Sequence, residues 1–300
     1  MILPLGSIIL RKLILKKLFL EYKVKRAVTI QDISCFGKCS ITVALPIISA
    51  MGVECAVIPT AVLSTHTGGF KGWTFRDLSD DIYKITEHWH REGLKFDGVY
   101  TGYLGSPEQA EMIENFVDEF APPLVFIDPV MADNGKLYPG FDEKIVEAMR
   151  KLCRKADIIT PNITEASLLT CTEYREAGTY DEDYIKKTLV KLTELGPKTA
   201  AITGVRYKSS PDKQGVVGYD RESGEFSSYY EENLPVSCHG TGDVFASTMF
   251  AALLRGKTLL EAEKIAVEMT VDCIKHTIRD KEHWYSVKFE ECIPDLIKML

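Results

Sequence analysis

A short segment near the end of the chain, Cys238–Asp243, reads Cys-His-Gly-Thr-Gly-Asp and runs directly into apolar residues over a helical length. The two glycines permit a tight turn that directs successive N–H groups toward one point. Gly240, Thr241 and Gly242 are therefore predicted to bind an anion at a helix N-terminus. Asp243 falls in the first helical turn, where a carboxylate beside a phosphate could take a proton from an attacking hydroxyl. An aspartate there is also common as a simple partner of the helix dipole, so the segment alone leaves both roles open.

The two commonest nucleotide motifs are absent from the sequence. A P-loop that includes Gly37-Lys38 would need glycine at position 32 and Ser or Thr at position 39. The chain has Asp32 and Cys39 there. A dinucleotide fingerprint beginning at Gly240 would need glycine where Phe245 stands. If the protein binds ATP, it does so through another architecture.

Apolar strand-like runs alternate with helix-like segments from residue 25 onward. Strands are predicted over residues 26–31, 53–59, 96–101, 124–127, 156–160, 199–203, 215–219 and 225–230, and helices over 40–51, 181–195 and most of 244–278. This alternation predicts an α/β fold of three layers, in which helices cover both faces of a mainly parallel sheet. Ligands bind at the carboxyl ends of the strands in such sheets. The polar and glycine residues that follow predicted strands are Asp32, His66, Gly102, Asp128, Asn162 and Asp243.

Composition limits the classes of protein that this chain can belong to. The 300 residues are 45% hydrophobic and 26% charged, which is typical of a soluble chain with a large core. The net charge of −7 argues against nucleic acid as a partner, because no basic excess is present to neutralise phosphates. The eight cysteines form no paired CxxC modules, so reduced thiols and a cytoplasmic location are expected. Cys238 would be reactive if the helix dipole lowered its pKa, but a spectator thiol is the simpler interpretation.

Residues 1–24 differ from the rest of the chain and are interpreted as an N-terminal extension to a single domain over 25–300. They are rich in Leu and Ile, but Arg11, Lys12, Lys16 and Lys17 interrupt the apolar run. No uninterrupted stretch approaches the ~20 residues that a membrane span requires. An amphipathic helix that touches a membrane or a partner is the alternative for this segment.

Six stretches, taken in order, resemble the pyridoxal and pyridoxamine kinases of the ribokinase-like superfamily. They are Gln31 with Gly37 and Ser40, and residues 64–68, 101–106, 128–131, 161–165 and 240–243. Each stretch is short, but their combination in one order is specific to that family. The resemblance implies a ribokinase-like fold and ATP-dependent phosphorylation of the 5′-hydroxymethyl group of pyridoxal, pyridoxamine or pyridoxine.

The resemblance also assigns catalytic and metal-binding roles. It implies that Asp243 is the base and that the Gly240–Gly242 segment supplies the anion hole for the transferring phosphoryl group. It implies Mg²⁺ organised by Asp128, Asn162 and Glu165, partly through water, because magnesium retains much of its hydration. The structural alternatives are a strand-ending turn at Asp128-Pro129 and a helix cap over 162–165 in which Thr164 is the capping residue.

The family's substrate pocket falls on Asp32, Thr67 and Gly68, with His66 beside them in a binding role. Relatives that prefer pyridoxal often carry serine at the position of Asp32. A carboxylate there could accept a hydrogen bond from the ligand's phenol or ring nitrogen, or pair with the ammonium group of pyridoxamine. Asp32 is therefore expected to favour pyridoxamine or pyridoxine. A loop aspartate that caps its own turn is the alternative.

Nucleotide contacts are expected, on the same resemblance, at Thr203 and within residues 232–236, including Glu232 and Pro235. Thr160 is expected beside the phosphates, where its hydroxyl could also coordinate a monovalent cation such as K⁺. Family membership further implies a homodimer.

Two other functions remain open from the sequence. A hydroxymethylpyrimidine kinase of thiamine synthesis would share the fold and the chemistry, although residues 64–68, the Gly-Tyr-Leu-Gly element at 102–105 and the final Asp243 favour the pyridoxal branch. A non-catalytic protein that binds pyridoxal phosphate would be expected to have lost the base or the metal carboxylates. Asp243, Asp128 and Glu165 are all present.

Overall fold

The computed structural model describes residues 24–300, so the predicted N-terminal extension, apart from Val24, lies outside the described residues. The strands are β1 (Arg26–Ser34), β2 (Glu54–Leu63), β3 (Phe75–Asp77), β4 (Gly98–Thr101), β5 (Leu124–Ile127), β6 (Ala132–Asp133), β7 (Lys136–Leu137), β8 (Ile158–Ile159), β9 (Thr199–Val205), β10 (Lys213–Asp220) and β11 (Glu225–Glu232). The helices are α1 (Ile41–Ala50), α2 (Ser79–Arg91), α3 (Pro107–Phe120), α4 (Glu143–Cys153), α5 (Ile163–Thr170), α6 (Glu182–Glu194), α7 (Thr241–Leu254), α8 (Leu259–Thr277) and α9 (Ile293–Lys298). Over residues 24–300 no helix has both the length and the apolarity to cross a membrane.

Nine of these strands form one sheet, in the order β11-β10-β9-β8-β5-β4-β1-β2-β3. The central strands from β9 to β2 are parallel to their neighbours, whereas β10, β11 and β3 add antiparallel pairs at the two edges. The short strands β6 and β7 form a separate hairpin. The mainly parallel sheet predicted from the alternation of elements is confirmed.

Two hydrophobic clusters cover the two faces of the sheet. Helices α2 to α6 bury Ile82, Phe116 and Leu189 with their neighbours against one face. Helices α1, α7, α8 and α9 bury Val43 and Phe250 with their neighbours against the other. Because parallel strands are covered on both sides, their central residues are apolar and buried without alternation. The three-layer architecture is therefore present as predicted.

Strand β1 extends further than its sequence suggests. The predicted end of this strand at residue 31 is wrong, because β1 continues to Ser34 and pairs with β2 up to Leu63. The pairing register shifts between Gln31 and Ile33, so Asp32 lies at an irregularity within the strand. Such irregularities reorient a side chain relative to the regular pleat, and they are common beside active sites.

Helix α7 begins where the glycine segment predicts. Gly240 is its N-cap residue, with φ of +87°, and Gly256 follows its end with φ of +83°. A Cβ atom at Gly240 would lie 2.6 Å from the carbonyl oxygen of Lys38, whereas a Cβ at Gly242 would have no neighbour within 4 Å. Position 240 therefore requires glycine, both for its backbone conformation and for lack of space, whereas position 242 does not.

Gly240→Ala and Gly242→Ala form a matched pair that tests this difference. Gly240→Ala is expected to lower the free energy of unfolding by about 2 kcal/mol or more, because it combines left-handed strain with a steric clash. Gly242→Ala is expected to leave that free energy unchanged or raise it by up to about 1 kcal/mol, because alanine favours the helix. Urea denaturation without nucleotide measures both. Equal losses in the two variants would contradict the assignment.

Candidate active site

A cavity of about 850 Å³ collects the predicted site residues at one edge of the sheet. It lies beside the point in the sheet at which the strand order reverses. There β1 and β4 are neighbours, but the chain continues from β1 to β2 on one side and from β4 to β5 and β8 on the other. Such a switch point is the usual ligand site of an open α/β sheet. The predicted residues that line the cavity are Asp32, His66, Thr67, Gly68, Asp128, Thr160, Asn162, Glu165, Thr203, Glu232, Gly240, Thr241, Gly242 and Asp243. Pro235 is not among them, although its neighbours Leu234 and Val236 are.

The charge of the cavity wall is strongly one-sided. Its acidic residues are Asp32, Asp128, Asp133, Glu165, Glu232 and Asp243. None of the described residues that line it is a lysine or an arginine. A polyphosphate in this cavity would therefore be repelled unless a cation accompanied it. The donor set fits the predicted Mg²⁺ for this reason.

Asp243 faces the cavity from the first turn of α7. Burial, together with the charge of Asp32, raises the pKa of its carboxyl to about 7, while the N–H group of Ser40 opposes the shift. A carboxylate with a pKa near neutrality is suited to accept a proton from a hydroxyl group. The N-terminal N–H groups of α7 begin immediately before it and favour an anion at the same place.

Ser40 connects the two aspartates at this end of the cavity. Its N–H group lies near Asp243 and its side chain near Asp32, and each lowers the pKa of the carboxyl group beside it. It has φ of 55° and ψ of −127°, a backbone conformation that residues other than glycine rarely adopt. The resemblance included Ser40, but the sequence contains no signal for this conformation, so its contact with both carboxylates was missed.

Asp32 is a buried carboxylate that has polar neighbours. Its side chain is 4% exposed, and Ser34 donates a hydrogen bond to its Oδ2 at 3.1 Å. Burial raises its pKa, although the hydrogen bonds from Ser40 and Ser34 lower it. The ionised carboxylate of Asp32 would be stabilised by a ligand that brings a positive charge or a hydrogen-bond donor. Tyr103 lines the same end of the cavity.

The loop at the end of β2 contributes the other predicted substrate residues. Gly68 lies so close to His239 that a Cβ atom would stand 2.5 Å from the ring, so a larger residue there would require the His239 side chain to move. Thr67 is exposed on the cavity wall. His66 is buried, and the protein occupies both of its ring nitrogens, with bonds to the N–H of Gly68 and the carbonyl of Tyr285. A direct contact of His66 with substrate is therefore limited to the face or edge of its ring.

Asp128 and Glu165 form a pair of buried carboxyl groups at the other end of the cavity, where they are 7% and 2% exposed. Burial, followed by the nearby charges of Glu165 and Asp243, raises the pKa of Asp128 well above its usual value. Burial also raises the pKa of Glu165 to about 8, against the opposing effect of three backbone N–H groups. Two such groups resist simultaneous ionisation unless a cation lies between or beside them.

The predicted metal residue Asn162 has the capping role that was expected of Thr164. Asn162 caps α5 and forms a capping box with Glu165, so Thr164 is not the cap. The Oδ1 of Asn162 accepts two backbone N–H bonds, and its Nδ2 donates to the carbonyl of Ala132 at 2.8 Å. Both oxygens of Glu165 also accept backbone N–H groups. Asp128 therefore offers the freest oxygens, and a hydrated ion fits better than direct coordination by all three.

The spatial arrangement of the potential metal ligands also favours a hydrated ion over direct coordination. Over the described residues, no group of three or more His, Cys, Asp and Glu side chains is placed to hold a metal ion. The residues thus fit magnesium that arrives with a nucleotide and keeps part of its water shell, rather than a permanently bound structural metal.

The end of the cavity at which nucleotide contacts were predicted has an apolar wall. Thr160 is 2% exposed, and its hydroxyl has no hydrogen-bond partner among the described residues. Thr203 forms an isolated parallel β-bridge with Asn162. The apolar wall consists of Val236, which lies in the predicted segment 232–236, and of Val267, Val271 and Ile274, which were not predicted. The three α8 positions were hidden in an ordinary helical apolar pattern, which does not distinguish a ligand wall from core.

Cys238 lies on the cavity wall before α7. Burial raises the pKa of its thiol, so the helix terminus does not activate it. This agrees with the interpretation of Cys238 as a spectator thiol.

The comparisons with known proteins agree with this geometry. The profile of the family described as phosphomethylpyrimidine kinase matches residues 37–288. A Bacteroides thetaiotaomicron structure, provisionally assigned as a phosphomethylpyrimidine kinase and crystallised with pyridoxal, is 36% identical, with a TM-score of 0.86 over 91% of this chain and 96% of its own. Pyridoxal kinase from Lactobacillus plantarum is 31% identical, with a TM-score of 0.85 over 92% of this chain and 98% of its own.

A plant relative points toward thiamine metabolism. The thiamine biosynthetic bifunctional enzyme of Arabidopsis thaliana is 29% identical over 260 residues, which make up 81% of this chain. The chain spans only 45% of the length of that enzyme. The family profile nevertheless covers most of the present chain, and the two bacterial structures share its fold over nearly their whole length. The chain therefore belongs to the family of phosphomethylpyrimidine and pyridoxal kinases, with the ribokinase-like fold.

Proposed function

We propose that this protein is an ATP-dependent kinase that phosphorylates the 5′-hydroxymethyl group of a vitamin B6 vitamer. The observation that carries the proposal is the position of Asp243, a carboxylate with a pKa of about 7, in the first turn of a helix whose N-terminus faces the same cavity. The Bacteroides structure with pyridoxal and the Lactobacillus pyridoxal kinase support this acceptor.

The chain's own residues divide the chemistry between the two ends of the cavity. Asp243 accepts the proton of the acceptor hydroxyl as the oxygen of that hydroxyl attacks the γ-phosphate of ATP, and the bond from the γ-phosphorus to the β–γ bridging oxygen breaks to release ADP. The N–H groups of Gly240, Thr241 and Gly242 stabilise the charge on the transferring phosphoryl group. Asp128 and Glu165 would hold a magnesium ion. When bound, that ion neutralises part of the triphosphate charge in a cavity wall that has no lysine or arginine among its described residues.

Hydroxymethylpyrimidine kinase is the second candidate function. The family profile and the plant relative favour it. Both candidates use the same base and anion site, so they differ only at the acceptor end, around Asp32. A non-catalytic carrier of pyridoxal phosphate is disfavoured, because it would not need a base at the start of α7.

The first prediction is that ATP-dependent turnover requires Asp243. Wild type is expected to phosphorylate at least one of pyridoxal, pyridoxine and pyridoxamine, and Asp243→Asn is expected to lower kcat by about 10²–10⁴. The asparagine side chain has no charge to desolvate, so the variant should unfold at the same or a higher temperature at pH 8, which separates lost chemistry from lost folding. Turnover of hydroxymethylpyrimidine alone would move the protein to the thiamine branch. Retained turnover in Asp243→Asn would rule out Asp243 as the base.

The pH profile tests the same residue in wild type. Burial raises the pKa of Asp243 to about 7, and the base must be ionised to accept a proton. We therefore expect kcat/KM for the acceptor to rise about tenfold per pH unit below pH 7 and to level off above it. The residual activity of Asp243→Asn should lack this step.

The acceptor preference is predicted to depend on the charge of Asp32. Asp32→Asn and Asp32→Ser are each expected to lower the kcat/KM of pyridoxamine relative to that of pyridoxal about tenfold or more, because a charge-assisted hydrogen bond is lost. Asp133→Asn removes a carboxylate from the cavity wall near Asn162 and should leave the ratio unchanged. Parallel assays of the three vitamers measure this ratio of kcat/KM values. An unchanged ratio in both Asp32 variants would show that this carboxylate does not select the acceptor.

A further inference from the structure

The segment between α8 and α9 contacts two histidines that line the acceptor end of the cavity. We call residues 279–291 the C-terminal strap and residues 64–70 the substrate loop. The N–H of Val287 in the strap donates to the carbonyl of His239 at 3.0 Å. The carbonyl of Tyr285 accepts a bond of 2.5 Å from Nε2 of His66 in the substrate loop. The strap is thereby hydrogen-bonded both to the substrate loop and to the residue that precedes Gly240.

The hydrogen bonds of His66 determine its tautomer. The N–H of Gly68 can only donate, and it lies 3.0 Å from Nδ1, so Nδ1 carries no proton. The carbonyl of Tyr285 can only accept, so Nε2 carries the proton. Only the neutral imidazole satisfies both partners. Burial and the neighbouring His239 lower the pKa of His66, in agreement with the neutral form.

The ring of His66 also packs against several segments that border the acceptor end. Its centroid lies 5.0 Å from that of Phe70 and 4.9 Å from that of His239. Gly37 approaches so closely that a Cβ atom there would stand 2.5 Å from Cδ2 of the ring. A single buried imidazole thus contacts the loop after β1, the substrate loop, the residue before Gly240 and the strap.

From these contacts we propose that His66 is a positioning residue for the acceptor substrate. Its Nδ1 fixes the main chain of Thr67 and Gly68 as the wall of the acceptor pocket, and its Nε2 fastens that wall to the strap. The inference rests on the proposed function only for the identity of the acceptor. Because the contacts of His66 lie at the acceptor end, its loss should weaken acceptor binding and leave ATP binding unchanged.

Three variants separate the contributions of the ring. His66→Phe keeps a ring but loses both hydrogen bonds. His66→Asn can place an amide oxygen near the position of Nδ1 and so restore the bond from Gly68, but it cannot reach Tyr285. His88→Phe is the control, because His88 lies on the exposed surface of α2, outside the cavity.

The test combines steady-state kinetics with hydrogen exchange of the ligand-free protein. His66→Phe is expected to raise KM for the vitamer about tenfold or more, to change KM for ATP less than about twofold, and to speed amide exchange in residues 64–70. His66→Asn should recover most of the acceptor KM and the protection of the loop, and His88→Phe should match wild type.

The two proposals fail in different ways. An unchanged acceptor KM in His66→Phe, or equal increases in the KM values of both substrates, would overturn the positioning role. Unchanged exchange in residues 64–70 would overturn it as well, and that measurement requires no substrate. If wild type turns over no vitamer, the proposed function fails, while the exchange data still decide whether His66 holds the loop.

Discussion

The burial of carboxyl groups without basic partners is the constraint on which the active site depends. Asp32, Asp128 and Glu165 are each less than a tenth exposed, and Asp243 stands beside them in the same cavity. Among the described residues of the cavity wall, no lysine or arginine compensates them. Burying an uncompensated carboxylate is costly, and the raised pKa values of these groups express that cost. The arrangement becomes more favourable when ligands bring positive charge, as the metal ion that accompanies a nucleotide and a protonated amine would both do.

The backbone around these carboxyl groups is correspondingly specialised. The irregularity in the pairing of β1 after Gln31 lies at Asp32, and Ser40, with its positive φ, lies beside both Asp32 and Asp243. At the other end, the capping box that begins α5 places the N–H of Asn162 on one oxygen of Glu165, and the N–H groups of Met131 and Ala132 bond to the other. In each case a local backbone feature fixes the direction of an acidic side chain.

The family contains relatives named for vitamin B6 and for thiamine metabolism, and the structure indicates why one scaffold can host both. The phosphoryl-transfer half of the cavity is built from the N-terminus of α7 and the ends of β5 and β8, which are regular elements of the core. The proposed acceptor half is built mainly from the end of β1, the loop after it and the substrate loop, and the C-terminal strap is hydrogen-bonded to His66 and His239 at its border. Loops can change without disturbing the sheet, so acceptor choice can diverge while the transfer chemistry stays the same.

The architecture and five of the six acidic residues of the cavity wall were predictable from the sequence. Alternating elements indicate a parallel sheet, and polar residues after apolar strands meet at one edge because parallel strands all end there. Gly240 was predictable because a tight turn before a helix needs a residue that tolerates positive φ. The spacing of Asn162 and Glu165 is that of a capping box, so a local signal for the true cap of α5 was present, although Thr164 was expected in that role.

Other features of the site arise from contacts between segments that are distant in the chain. The irregular pairing at Asp32, the conformation of Ser40 and the apolar cavity positions of α8 each depend on what another segment places opposite them. The same holds for His66, whose second nitrogen is occupied by a residue of the strap that lies 219 positions further along the chain. A hydrogen-bond partner at that separation leaves no local pattern, because only the folded sheet and its loops bring the two groups together.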